Sequence, residues 1–146
     1  MSGTPYKLDG LGSNSEVRAK FITFYAAEAL VKGDAVAIDC ATSTNGLGNH
    51  VLKANSGEAN NAQVIGVATE TIASGAVGVV QISGVCTFAK ILDTGDVVGN
   101  LLGSSSTDGS MTVMAADAML PAAIMLVEGT ANTTDTTVFL LNSHNL

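Results

Sequence analysis

Few side chains in this sequence could do chemistry, and none stands in a pattern that would let it. The only histidines are His50 and His144. A general base needs packing and a second group to orient it. His144 is the third residue from the end of the sequence, and His50 follows an Asn/Gly-rich stretch where a solvent-facing role is expected. The two cysteines, Cys40 and Cys86, sit in apolar, strand-like segments, where buried free thiols are the default expectation and a disulfide between them the alternative, and neither has a neighbouring cation to lower its pKa. No G-x-S-x-G elbow, Cys/His zinc spacing, calcium loop or P-loop is present; the run from Gly99 to Gly103 lacks the Lys-Ser/Thr that a phosphate cradle needs. The pairs Asp34/Asp39 and Asp93/Asp96 could hold a hard cation weakly, but aspartates beside turns more often cap them. The sequon at Asn132 matters only in a secretory pathway. No catalytic, cofactor-binding or metal-ligating residue is therefore assigned, and the chain reads as a non-enzyme.

The elements around these residues are β-strands. Residues 20–30 combine β-branched and aromatic side chains, Lys32-Gly33-Asp34 makes a turn, and residues 35–39 continue as a strand. Asn45-Gly46 signals a hairpin whose return strand is residues 50–53. Further strands are expected at 63–70, 76–89, 97–102, 111–114, 122–128 and 136–141. Gly84 marks a bulge or bend in the longest of them. Residues 115–120 could make one helical turn, stopped by Pro121. Turns every 8–15 residues, with no convincing amphipathic helix, predict an all-β fold, a small barrel or sandwich. Residues 1–17, rich in Gly, Ser and Asn, read as an extended N-terminal arm, and residues 18–146 as one β-domain.

Composition limits what such a domain does. The chain has 146 residues, a formal net charge of −7, 47% hydrophobic and 13% charged residues, and no Trp. The charged share is about half the usual one, which suits a protein that buries surface against partners. Cations are scattered at Lys7, Arg18, Lys20, Lys32, Lys53 and Lys90, so nucleic-acid binding is not expected. No stretch is long and apolar enough for a membrane helix, and the opening residues lack a signal-peptide pattern, so synthesis in the cytoplasm is expected.

The sequence also echoes itself. Lys32-Gly33-Asp34-Ala35-Val36 is matched by Thr94-Gly95-Asp96-Val97-Val98, and Val64 to Ala68 by Ala123 to Val127, each followed by an apolar strand. A duplicated β unit, residues 30–83 and 92–142, would explain both.

Across residues 28–142 the chain resembles the capsid decoration (cement) proteins of tailed bacteriophages. The resemblance is carried by Ala29-Leu-Val-Lys-Gly-Asp-Ala-Val-Ala-Ile38, Asn61-Ala-Gln-Val-Ile-Gly-Val-Ala68 and Gly75-Ala-Val-Gly-Val-Val-Gln-Ile-Ser-Gly84. Thr94-Gly-Asp-Val-Val98 and Pro121-Ala-Ala-Ile124 also fit it. It implies a compact β-barrel on the capsid exterior, made in the host cytoplasm, a homotrimer, with the major capsid protein as partner and no cofactor, nucleic acid or membrane. The arm would then act as a strap, with Tyr6, Leu8, Leu11 and Arg18 as candidate partner-binding residues. The alternatives are another virion β protein such as a tail-tube subunit, a carbohydrate-binding module, which the lack of Trp disfavours, and a hydrolase, which the missing constellations disfavour.

Overall fold

A computed structural model describes residues 19–59, 61–92, 97–114, 120–128 and 136–141. The arm, with Tyr6, Leu8, Leu11 and Arg18, lies outside them, as do the expected turn at Asp93/Asp96, residues 115–119 of the expected helical turn, the sequon and His144.

The described residues are all-β. Nine strands occur in the order β1 (Lys20–Ala26), β2 (Ala35–Ile38), β3 (His50–Lys53), β4 (Gly66–Ala68), β5 (Val77–Ala89), β6 (Leu101–Ser104), β7 (Met111–Val113), β8 (Ala123–Met125) and β9 (Thr136–Leu140). They form one connected sheet of order β1-β3-β2-β4-β5-β9-β8-β6-β7, with β1 also pairing with β5. That extra pairing closes a ring, β1-β3-β2-β4-β5, in which only the β1–β3 contact is parallel.

The expected bend at Gly84 is where the long strand changes partners. Up to Ser83, β5 pairs with β1 and β4; from Gly84 it pairs with β9. Gly84 has φ 87°, outside the β region, and only glycine takes that value without a steric cost. The kink lets one strand end the first ring and begin a second. In the second ring, β5 pairs with β9, β9 with β8, β8 with β6, and β6 with β7, while the parallel bridge between Ile91 and Met111 ties the end of β5 back to β7.

The two rings are copies of one unit. The pairing order β3-β2-β4-β5 recurs as β7-β6-β8-β9, and the connecting hydrogen bonds recur with it. Gly33 N–H donates to Ala68 O at 2.9 Å, and Gly99 N–H to Met125 O at 2.8 Å. Ile65 N–H donates to Val36 O and Ala122 N–H to Leu102 O, both at 2.8 Å. Ala54 N–H donates to Ala35 O and Met114 N–H to Leu101 O, both at 2.9 Å. The duplication read from the sequence is therefore present, but in a different register. Gly33-Asp34 corresponds to Gly99-Asn100, not to Gly95-Asp96, and Gly66–Ala68 corresponds to Ala123–Met125. The first strand after Asp96 is displaced for the same reason. Residues 97–100 turn, with Gly99 at φ 94°, and the strand begins only at Leu101.

Strand alternation sorts the side chains. In β2, Val36 and Ile38 point into the first ring, where Val36 packs with Ala26, Val51, Ala68 and Val80. The matching interior of the second ring is Leu102, Ile91, Met111, Met125 and Val138. Ala35, Ala37 and Val67 face the other way and belong to that second core, together with Ala54, Val64, Cys86 and Ala89. The outer face of unit one is thus buried against unit two, so β2 reads Ala-Val-Ala-Ile rather than alternating polar and apolar.

Candidate interaction surface

The junction between the units shows how this scaffold docks. Ala35 N–H donates to Gly109 O at 2.8 Å, Gly109 N–H to Ala54 O at 3.0 Å, Lys90 N–H to Gly33 O at 3.1 Å, and Ser56 N–H to Ser105 O at 2.8 Å. The β6–β7 loop and the end of β5 therefore sit against the start of β2. A Cβ on Gly33 would stand 2.5 Å from Phe88 O, so the backbones approach as closely as glycine allows. Asp34, buried, accepts from Val31 N–H at 2.8 Å and pairs with Lys90 Nζ at 2.5 Å. A carboxylate here is supported by a turn amide and an ammonium whose side chain keeps about a quarter of its surface in water (25%).

Among the described residues, the corresponding face of the second unit is covered only in part, by Met114 over Gly103. Ala35 is fully buried, whereas its counterpart Leu101 is 47% exposed. Gly33 meets Phe88, whereas a Cβ on Gly99 would meet nothing within 4 Å. Leu101 pairs with the half-buried Ile124, and its carbonyl accepts from the half-buried Met114. Val98, Leu126 and Val127 are further exposed apolar residues of this unit. Sequence reasoning missed this face, because Leu101 and Leu126 read as core when each strand is considered alone. Aligning the units exposes it: Lys32, Thr69 and Glu70 of the first unit correspond to Val98, Leu126 and Val127 of the second.

The residues singled out for chemistry are held in structural roles. His50 is buried, not solvent-facing as its loop suggested. Its ring stacks on Tyr25 with centroids 5.3 Å apart, and Nδ1 has no hydrogen-bond partner among the described residues. Tyr25 N–H and Asn49 O bond across the ring at 2.9 Å, which draws His50 under the aromatic ring. Cys40 is exposed just past β2, contrary to the expectation of burial, and Cys86 is buried; both are free thiols. Burial pushes the Cys86 thiol up to about 11. Asp34 and Asp39 cap turns: Asp39 Oδ1 accepts from Ala41 N–H at 2.8 Å and Thr42 N–H at 3.3 Å. The Thr42 side-chain hydrogen bond holds the Asp39 carboxyl below the usual range; burial opposes it, and the Ala41 and Thr42 amides and His50 add to it. A polar cavity of about 300 Å³ is lined by Glu28, Lys53, Glu58, Asn61 and Asp108. Among the described residues, no three His, Cys, Asp or Glu side chains are grouped to hold a metal ion, and no helix is long and apolar enough to cross a membrane.

No family model matches the chain, and no curated protein sequence matches it. A solved structure does: the N base of the head fiber gp8.5 in bacteriophage phi29, with a TM-score of 0.57 over 86% of this chain and 96% of that chain. The fold is shared. At 15% identity the likeness is one of architecture, and nearly all of the phi29 base is covered by it.

Proposed function

We propose that this chain is a structural, non-enzymatic virion protein that binds the outer surface of a phage head as a homotrimer and stabilises contacts between major capsid subunits. The observation that carries this reading is the fold shared with the phi29 head fiber base. The resemblance of residues 28–142 to capsid decoration proteins points the same way and rests on different grounds, namely turn and strand motifs. Composition agrees, since a net charge of −7 and scattered cations suit the outside of a DNA-filled shell better than its interior. A protein spanning subunit joints adds contacts that must break before the shell opens, and icosahedral repetition multiplies each modest interface. Residues 1–17 supply a strap in this reading, with Tyr6, Leu8 and Leu11 as apolar anchors and Arg18 at its root.

The test is to mix the full chain with purified expanded heads of its phage. Saturable binding and a higher melting temperature of the shell are expected, and deletion of residues 1–17 should lower occupancy. A chain that ignores heads and assembles into hexameric rings belongs to a tail tube instead. Unchanged occupancy after the deletion would remove the strap.

A further inference from the structure

We infer that the partly covered face of the second unit, centred on Leu101, binds the first unit of another copy of this chain, head to tail, repeating between chains the contact that joins the two units within one. The duplication is what identifies the occupant. In the first unit, the face formed by Ala35, Ala37 and Val67 is buried, and its cover is the end of β5 and the β6–β7 loop of the second unit. Among the described residues, the second unit carries the same face on the same strands, with Gly99 open and Leu101 half exposed, while Met114 lies over Gly103, the counterpart of Ala37. The matching cover also exists: Tyr25 at the end of β1 corresponds to Lys90, and the β2–β3 loop, residues 39–49, corresponds to the β6–β7 loop. Within its own chain that loop is open to solvent. Leu47 is 69% exposed, and a Cβ on Gly48 would meet nothing within 4 Å. One chain thus carries a partly covered face at one side and, at the other, a solvent-open β2–β3 loop whose Asn49 is held by Tyr25 and Gly46 of its own chain, and a second copy brings the two together.

The substitutions between the units fit a contact of this kind. Ala35 and Val67 become the larger Leu101 and Ile124, and beside them Lys32 becomes Val98, so this face of the second unit presents larger apolar side chains. The buried ion pair Asp34–Lys90 is replaced by Asn100 opposite Tyr25, an amide and a phenol that can hydrogen-bond without two charges having to be desolvated. Such a contact is heterologous, so it closes into a ring or runs on as a filament according to the rotation it imposes. A ring closing at three copies gives the trimer proposed above. The contact itself is a property of the free protein and does not rest on binding to heads.

The experiment uses the full chain with Cys40→Ser, which removes the exposed thiol. Light scattering should give a multiple of 14.7 kDa, and Leu101→Glu should lower the mass to that of one chain while the circular dichroism spectrum stays β-type. Within the chain, Ala35 and Gly109 are neighbours, so their counterparts Leu101 and Asn49 should be neighbours across copies. On oxidation, a mixture of Leu101→Cys and Asn49→Cys chains should form cross-linked dimers that reduction reverses, well above either chain alone. The same cross-link decides the matter if Leu101→Glu fails to fold. A wild type that stays at one chain mass at high concentration, an oligomer unmoved by Leu101→Glu, or no cross-link specific to the mixture would each overturn the inference. A single-chain protein that loses head occupancy on Leu101→Glu would assign the face to the capsid and leave head binding standing without the trimer. A cross-linking oligomer that ignores heads would do the reverse.

Discussion

The two units have the same strand order and the same connecting hydrogen bonds, yet they differ in what lies on either side of β2 and β6. In the first unit, small side chains fill both faces, with Ala35 and Ala37 outward and Val36 and Ile38 inward. In the second, Leu102 and Met111 enlarge the interior while Leu101 stays half exposed on the outside. A duplicated fold keeps its backbone bonds because each is needed to satisfy the ladder. It is freer to change side chains, and these diverge where the surroundings diverge. The difference teaches that the first unit closes a smaller core of its own and lends its outer face to the second, which carries the larger core.

The largest effect should come from that main core. Leu102 is fully buried in the cluster that joins the second ring's interior to the outer face of the first. Leu102→Ala should cost about 3–4 kcal/mol, and urea melts should remain one cooperative transition because the cluster spans both units. Its counterpart Val36 belongs to the smaller first core, so Val36→Ala should cost about 2 kcal/mol. Equal losses at the two sites would show that the units share one core evenly. Two separate transitions would show that they fold apart.

A smaller effect separates the units at one backbone position. A Cβ on Gly66 would stand 2.4 Å from Gln81 O and 2.7 Å from Val80 Cγ1, a clash with backbone that cannot swing away. The counterpart on β8 is Ala123, fully buried, where the same Cβ is accommodated. Gly66→Ala should therefore destabilise by about 2–3 kcal/mol, and Ala123→Gly by about 1 kcal/mol. If Gly66→Ala were neutral, β4 and β5 would lie further apart than the pairing of Val67 with Gln81 describes.

Much of this architecture was legible in the sequence, because strands and turns are local. Asn45-Gly46, Ser74-Gly75 and the β-branched run of β5 each announce themselves within a few residues. The duplication was legible too, but its register was not. Gly95-Asp96 repeats the letters of Gly33-Asp34, whereas Gly99-Asn100 repeats its hydrogen bonds and its φ of 94°. Letters are matched by composition, and these are residues every turn favours; equivalence is fixed by long-range pairing that no short window contains. The same limit hid the candidate surface. Leu101 looks like a core residue until the burial of Ala35 shows which side of the strand it occupies. His50 was misread for a related reason: its loop is polar, but the parallel contact of β1 with β3 brings Tyr25 over its ring.

The smallest predicted difference is one of pH, at the loops that follow β2 and β6. Both begin with a side-chain cap at the same place. Asp39 Oδ1 accepts from Ala41 N–H at 2.8 Å, and Ser105 Oγ accepts from Thr107 N–H at 3.0 Å. One cap titrates and the other does not. Because the folded Asp39 carboxyl is held below its ordinary value, its ionised form is favoured by folding, chiefly through Thr42. Its contribution to stability is therefore complete above the ordinary carboxylate range and is lost as pH falls through the lowered value. Amide exchange at Ala41 and Thr42 should accelerate in acid beyond the intrinsic trend, while Thr107 should follow that trend alone. Asp39→Asn, which keeps an acceptor oxygen but carries no charge, should remove the pH dependence at Ala41. If Thr107 loosened in step with Ala41, acid would be acting on the junction through some other group, and the first loop would not be opening independently of the second.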